Sequence, residues 1–172
     1  MNVPLDVAAR CRATSADDFL DHSIYLPAFR RRATRLLARL SEQLQAEMHG
    51  GASHGQAWNT LLLDIVRVSS AHSAVALVEG FHSWLSDLHL LGEPSQIAAL
   101  KGVIGRLFSL FSLYLIERDI GDFLEDNFLS GLQLNALRCA VRRLLKEIRP
   151  DAVVLVDAFN YRSLFLALTI NA

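Results

Sequence analysis

Apolar residues recur along most of this chain in steps of three and four. From Pro27 onward, Phe29, Ala33, Leu36, Leu37, Leu40, Leu44 and Met48 form one stripe. Arg30, Arg31, Arg32, Arg35, Arg39, Glu42 and Glu47 lie on the opposite side. This spacing predicts an amphipathic helix, with Pro27 in its first turn and Gly50-Gly51 at its end. A second helical pattern runs from about Gln56 to Leu90 through Trp58, Leu61, Ile65, Val75, Val78, Phe81 and Leu85. As one helix it would be roughly 52 Å long, and Ser69, Ser70, Ser73 and Gly80 are the places where we expect a bend. Few charges interrupt Val68 to Ser86, which predicts burial on more than one side.

Gly92-Glu93-Pro94 reads as a loop. Pro94 or Ser95 then opens a third helix that is apolar nearly all round between Arg106 and Glu117, a sign of a central position. After a short element from Asp119 to Asn127, Ser130 and Gln133 have the spacing of a capping box, in which each side chain satisfies a free donor at the helix start. The fourth helix repeats Leu134, Leu137, Val141, Leu144 and Ile148 under a basic face of Arg138, Arg142, Arg143 and Lys146. Pro150 opens a last short helix. No stretch alternates with period two for long. The expected fold is all-α: an antiparallel bundle of about four main helices plus short ones. Residues 1–25 show no sustained period and are expected to be a loosely ordered lead-in; 26–160 form the domain, and 161–172 an apolar tail.

The chain's 172 residues suit one domain. They are 52% hydrophobic and 20% charged, with 17 basic against 18 acidic side chains, which excludes a disordered tail and argues against a dedicated nucleic-acid binder. The longest uncharged apolar runs, Leu107 to Ile116 and Ser163 to Ala172, fall short of the roughly 18–20 residues of a spanning helix. Cys11 and Cys139 match no metal or redox spacing, so a reducing compartment is the default expectation. So apolar a composition predicts a surface that is covered by something else.

The search for chemistry returns little. The glycines do not fall at the offsets of a phosphate loop or a dinucleotide fingerprint, and there is no Gly-x-Ser-x-Gly elbow. Glu79 and His82 share a helical face as a metal pair would, but a di-iron bundle needs a second such pair and two more glutamates. His82 and His89 stand a heptad apart, too far for one metal. His72 is expected to be buried and hydrogen-bonded. The arginine run of the first helix has the chemistry to grip an anion, and its plainer reading is a solvated face. Asp157 lies in an apolar run, so we expect it to be paired or to cap a helix.

Arg149-Pro150-Asp151-Ala152-Val153-Val154-Leu155-Val156-Asp157-Ala158-Phe159 resembles the C-terminal domain of the peroxisomal acyl-CoA oxidases. Gly121-Asp122-Phe123-Leu124, Phe128-Leu129-Ser130 and Gln133 to Arg138 are similar to the same domain at the same separations, and Ala71-His72 also fits. The resemblance implies an FAD-dependent oxidoreductase of peroxisomal fatty-acid β-oxidation, which desaturates acyl-CoA to trans-2-enoyl-CoA and makes hydrogen peroxide. It implies that flavin, acyl chain and the base, a glutamate, are held mainly by segments preceding this domain, while these helices serve packing and the homodimer. Met1 lies close to where the domain should begin, so the flavin-binding part is expected to be absent and the chain inactive alone.

None of Glu79, Glu117 or Glu125 sits in the family's catalytic context. No catalytic, cofactor-binding or metal-ligating residue is therefore assigned, and no FAD is expected on this chain alone. The expected partner is the flavin-binding part of an oxidase or a second copy, with no nucleic acid and no membrane span. The expected location is the peroxisome by resemblance, although Ile170-Asn171-Ala172 is not a peroxisomal tripeptide; the cytoplasm is the other expectation. Tyr161 to Ala172 departs from the family pattern. The alternative reading is a non-enzymatic helical interaction protein that pairs with a full-length oxidase or with itself.

Overall fold

The structure, a computed structural model, describes residues 10–88 and 94–158. The elements are α1 (Tyr25–His49), α2 (His54–Thr60), α3 (Leu62–Asp87), α4 (Pro94–Arg118), α5 (Ile120–Glu125), α6 (Gly131–Ile148) and α7 (Ala152–Asp157). There is no strand among the described residues. α1 packs on α3, α3 on α4 and α4 on α6. The neighbours run antiparallel. Arg30 near the start of α1 meets Glu79 late in α3, and Glu117 late in α4 meets Arg138 early in α6. The expected all-α bundle is therefore the observed one. His89, the Gly92-Glu93 part of the loop, Phe159 and the tail from Tyr161 to Ala172 lie outside the described residues.

Local chemistry accounts for the boundaries. α1 ends where the Gly50 N–H bonds to the Ala46 carbonyl at 2.9 Å, and Gly51 takes φ +95°, a conformation open to glycine at no steric cost. Ser53 and Gln56 form a capping box at the start of α2, and Ser130 and Gln133 form the expected one at the start of α6. Asn127 turns the chain after α5 with φ 55°, a region its short polar side chain tolerates.

The long second helix is not one helix. It breaks between Thr60 and Leu62, and α2 and α3 are inclined by 72°. Leu61 is buried at the corner, which lets the chain turn so that α3 runs back along α1. The serines lie within one continuous helix, where the Ser69 and Ser73 hydroxyls donate to the carbonyls of Ile65 and Ser69, at 2.9 and 3.0 Å. Nor is α3 buried on several sides. Ala71, Ala74, Val78 and Leu85 face the bundle, while Val66, Leu77 and Trp84 are exposed.

α4 supplies the centre of the core, with Phe108, Ser112, Leu113 and Ile116 almost fully enclosed. By length and composition alone, its segment from Ile97 to Arg118 is apolar enough to cross a membrane. The run-length test missed this because Lys101 and Arg106 interrupt the segment without offsetting its average. Its inner face is bundle core, and core helices pass the same test.

The lead-in also differs from expectation over its described part. Cys11, Ala13, Phe19 and Tyr25 are buried in the main core. The Cys11 N–H bonds to the Phe128 carbonyl at 2.9 Å, and Gln133 Nε2 donates to the carbonyls of Cys11 and Ala13, both at 2.8 Å. Ser15 and Asp18 cap each other's backbone N–H, and Asp18 also accepts from Thr14. Those bonds hold the exposed Asp18 carboxyl at about 2. Isolated aromatic anchors and reciprocal caps fix this segment without any helical period.

Candidate functional site

The arginine run of α1 is solvated only in part, with Arg30 and Arg39 exposed and Arg35 half-buried. Arg31 and Arg32 are buried. The cause is the short α5 segment, whose acids at 119, 122, 125 and 126 are spaced as one face and lie against α1. Arg31 Nε donates to Asp126 Oδ2 at 2.9 Å, and Arg32 Nε to Asp122 Oδ2 at 2.6 Å. Arg32 Nη1 also sits 3.1 Å from Asp119. Arg35 and Arg39 share Glu125, at 3.1 and 2.6 Å. From α3, Arg67 bonds to the other oxygen of Asp122. Arg31 and Arg32 also lie over the rings of Phe128 and Phe123, with centroid distances of 5.5 and 6.0 Å. Burial alone would raise the Asp122 carboxyl; hydrogen bonds from Arg32 and Arg67, with their charges, hold it below its ordinary value. The layer rivets α1, α3 and α5 together, and each of these guanidinium groups has an acidic partner.

Elsewhere the candidate residues separate. Glu79 is held by Arg30 at 2.5 Å. His82 is exposed, its ring 5.8 Å from that of Phe108. His72 is exposed, contrary to the expectation of a buried histidine, and lines a groove of about 430 Å³ between α1 and α3. It points outward because Ala71 and Ala74 hold the inward positions. Asp157 is exposed and makes no ion pair among the described residues, because α7 presents Val153, Val154 and Val156 to the outside and gives Asp157 no enclosing surface. Cys11 is buried, which pushes its thiol up, and Cys139 is exposed.

One histidine that sequence reasoning passed over is half-buried. His22 Nε2 is 3.0 Å from Ser109 Oγ, and its ring stands edge-on to Phe108. Burial lowers its pKa, and nearby His82 lowers it further. Beside it, the Tyr25 hydroxyl donates to the Phe19 carbonyl at 2.6 Å, and burial raises it to about 12. The signal for this cluster was the His22-Ser23-Ile24-Tyr25 run at the helix start, which carries no periodicity. It pins the lead-in to α4.

A flavin dinucleotide needs donors for its phosphates and a slot for its ring system. A groove of about 480 Å³ is lined by Arg31, Arg35, Arg39, Glu42 and Asp126. Its cations are already matched to carboxylates, so it does not fit a pyrophosphate. Among the described residues no group of His, Cys, Asp and Glu could hold a metal ion.

What the structure does present is uncovered apolar surface. Leu62, Leu63, Val66, Leu77 and Trp84 on α3 are 48–84% exposed, as are Val153, Val154 and Val156 on α7. α6 exposes Leu132 and Leu145 as well, but among the charged Arg138, Arg142, Arg143, Lys146 and Glu147. Contiguous apolar patches of this kind mark contact surfaces.

The described residues form an all-helical domain with a packed core and uncovered apolar side chains on its exterior. A family model described as acyl-CoA oxidase matches residues 21–170. Peroxisomal acyl-coenzyme A oxidase 2 of Oryctolagus cuniculus is 37% identical over 153 residues, covering 89% of this chain and 22% of that protein. Peroxisomal acyl-coenzyme A oxidase 1 of Rattus norvegicus is 36% identical over 139 residues, 81% of this chain and 20% of that protein. Among solved structures, acyl-CoA oxidase 1 of Arabidopsis thaliana superposes with a TM-score of 0.76 at 29% identity, over 90% of this chain and 22% of that one. Acyl-CoA oxidase-2 of Caenorhabditis elegans, bound with FAD, ascaroside-CoA and ATP, gives 0.74 at 27% identity, over 92% and 23%. The chain belongs to the acyl-CoA oxidase family. It spans about one fifth of the length of the relatives it matches.

Proposed function

We propose that this chain is the C-terminal helical domain of an acyl-CoA oxidase, that it serves packing and dimerisation, and that it has no activity alone. The complete enzyme would desaturate acyl-CoA to trans-2-enoyl-CoA in peroxisomal fatty-acid β-oxidation, reducing oxygen to hydrogen peroxide. FAD, the acyl chain and the base, a glutamate, would be held by other segments of that enzyme. The observation that carries this reading is the uncovered apolar exterior of α3 and α7 on a domain whose buried arginines are matched to carboxylates. Such a surface supports contact with a larger body, and the length of the relatives supports an oxidase as that body.

The test is reconstitution. The purified chain should carry no flavin absorbance and release no peroxide from palmitoyl-CoA. Co-expression with an acyl-CoA oxidase truncated before its C-terminal domain should restore palmitoyl-CoA-dependent peroxide formation to the truncated enzyme. A yellow chain that makes peroxide by itself would contradict the proposal. The same exterior supports a second reading, a non-enzymatic partner of itself or of an intact oxidase. Binding to the intact enzyme without rescue of the truncated one would favour it.

A further inference from the structure

We infer that the lead-in, residues 10–24, is a pH-sensitive strap, closed on the core while the His22 imidazole is neutral and released when that ring takes a proton. Its helical turns, Asp18–Leu20 and His22–Ile24, are three residues each. Near its start it is tied by the bond from the Cys11 N–H to the Phe128 carbonyl and by Gln133. Near its end it is tied by His22 Nε2, 3.0 Å from the buried Ser109 Oγ. Between the two, Phe19 is buried, and its carbonyl accepts from the Tyr25 hydroxyl. A segment held by a few separate contacts opens at lower cost than the helices beneath it. Opening would bare Cys11, Ala13 and Phe19, which belong to the core.

His22 is the tie that a proton can cut. Its half-buried ring stands edge-on to Phe108, with centroids 5.0 Å apart, and a Cβ on Gly105 would lie 3.7 Å from its Cε1. α4 meets the ring with Gly105, Phe108 and Ser109, and none of these is charged. α1 meets it with Tyr25, which burial raises to about 12 and so keeps neutral. α3 brings His82, whose ring is 5.8 Å from that of the same Phe108. On the strap itself, the Asp21 carboxylate already accepts from the Ser23 N–H and hydroxyl, at 2.9 and 2.7 Å. An imidazolium here gives up water without a dedicated counter-ion. Burial therefore lowers the His22 pKa and a charge on His82 lowers it further, outweighing the opposite pull of Asp21 and the Gly105 backbone. A base held below its unfolded value contributes stability that is complete above about pH 6.5 and is lost as the pH falls through the folded value. Hydrogen bonds hold Asp18 and Asp21 below the usual carboxylate range, so both stay ionised through that window.

Amide hydrogen exchange of the full chain, corrected for the intrinsic rate at each pH, tests the strap. Protection of the Cys11 amide should fall roughly fivefold or more between about pH 7.5 and about pH 5. In acid it should also be weaker than that of the Leu113 amide in α4, because the strap opens ahead of the core. His22→Gln keeps a neutral donor at the site and should leave the protection of Cys11 the same across this range. His82→Gln should lessen the acid loss. In a magnetic resonance titration of its imidazole, His22 should titrate below a free histidine and move up in the His82→Gln variant, a readout that holds even where His22→Gln does not fold. Protection unchanged by pH, Cys11 and Leu113 amides that open only together, an acid loss that survives His22→Gln, or a His22 ring that titrates as a free histidine would each overturn the strap. All of these readouts come from the chain by itself, so they succeed or fail separately from the rescue of a truncated oxidase.

Discussion

Asp122 accepts hydrogen bonds from Arg32 and Arg67, and its backbone carbonyl accepts one from Arg35. It is 5% exposed, and Arg32 is 4% exposed, so neither can exchange its partner for water. Removing the carboxylate alone leaves a buried cation without its main partner. We expect Asp122→Ala to cost about 3–5 kcal/mol in urea unfolding at neutral pH. The Arg32→Met, Asp122→Leu pair should recover most of that, because charge and countercharge leave together. The pH dependence has a definite sign. A folded carboxyl held below its unfolded value contributes stability that is complete above about pH 4. That contribution is lost as the pH falls through the lower folded value. The urea midpoint should therefore fall in acid, and Asp122→Asn should flatten the fall. A loss below about 1 kcal/mol for Asp122→Ala would mean that the ion layer does not hold α1, α3 and α5 together.

The two capping boxes differ in reach. Ser53 and Gln56 serve only α2, whereas Gln133 at the start of α6 also holds the lead-in through the carbonyls of Cys11 and Ala13. Ser130→Ala should cost about 1 kcal/mol by calorimetry, the usual loss of a cap. Gln133→Ala should cost more, because it also strands those two carbonyls; the reverse order would show that the lead-in is held by Phe19 and Tyr25 alone. The main helices were legible because their apolar steps of three and four persist over many turns. The Thr60–Leu62 break was not, since Leu61 fits the stripe of a continuous helix and is buried at the corner. The lead-in was hidden for the opposite reason: single aromatic anchors leave no period to read. The burial of Arg31 and Arg32 within the arginine face was not legible because their carboxylates arrive from about 90 residues away, although Asp119, Asp122, Glu125 and Asp126 have the spacing to match them.

At the scale of the whole molecule, the surplus of apolar residues in the composition reappears most densely on the bare sides of α3 and α7, while on α6 the exposed Leu132 and Leu145 stand among charged residues. That contrast within one chain is why contact, and not chemistry, is the domain's proposed role. Composition predicts more apolar surface than one core takes up. It could not say which helices, because α3 reads as buried all round when only one of its sides is. The most direct measurement is isothermal titration of the chain into an acyl-CoA oxidase truncated before its C-terminal domain, repeated at several temperatures. Saturable binding with a clearly negative heat-capacity change, the mark of apolar surface leaving water, is the predicted result. No binding at any temperature, from a chain that is folded by circular dichroism, would contradict the claim.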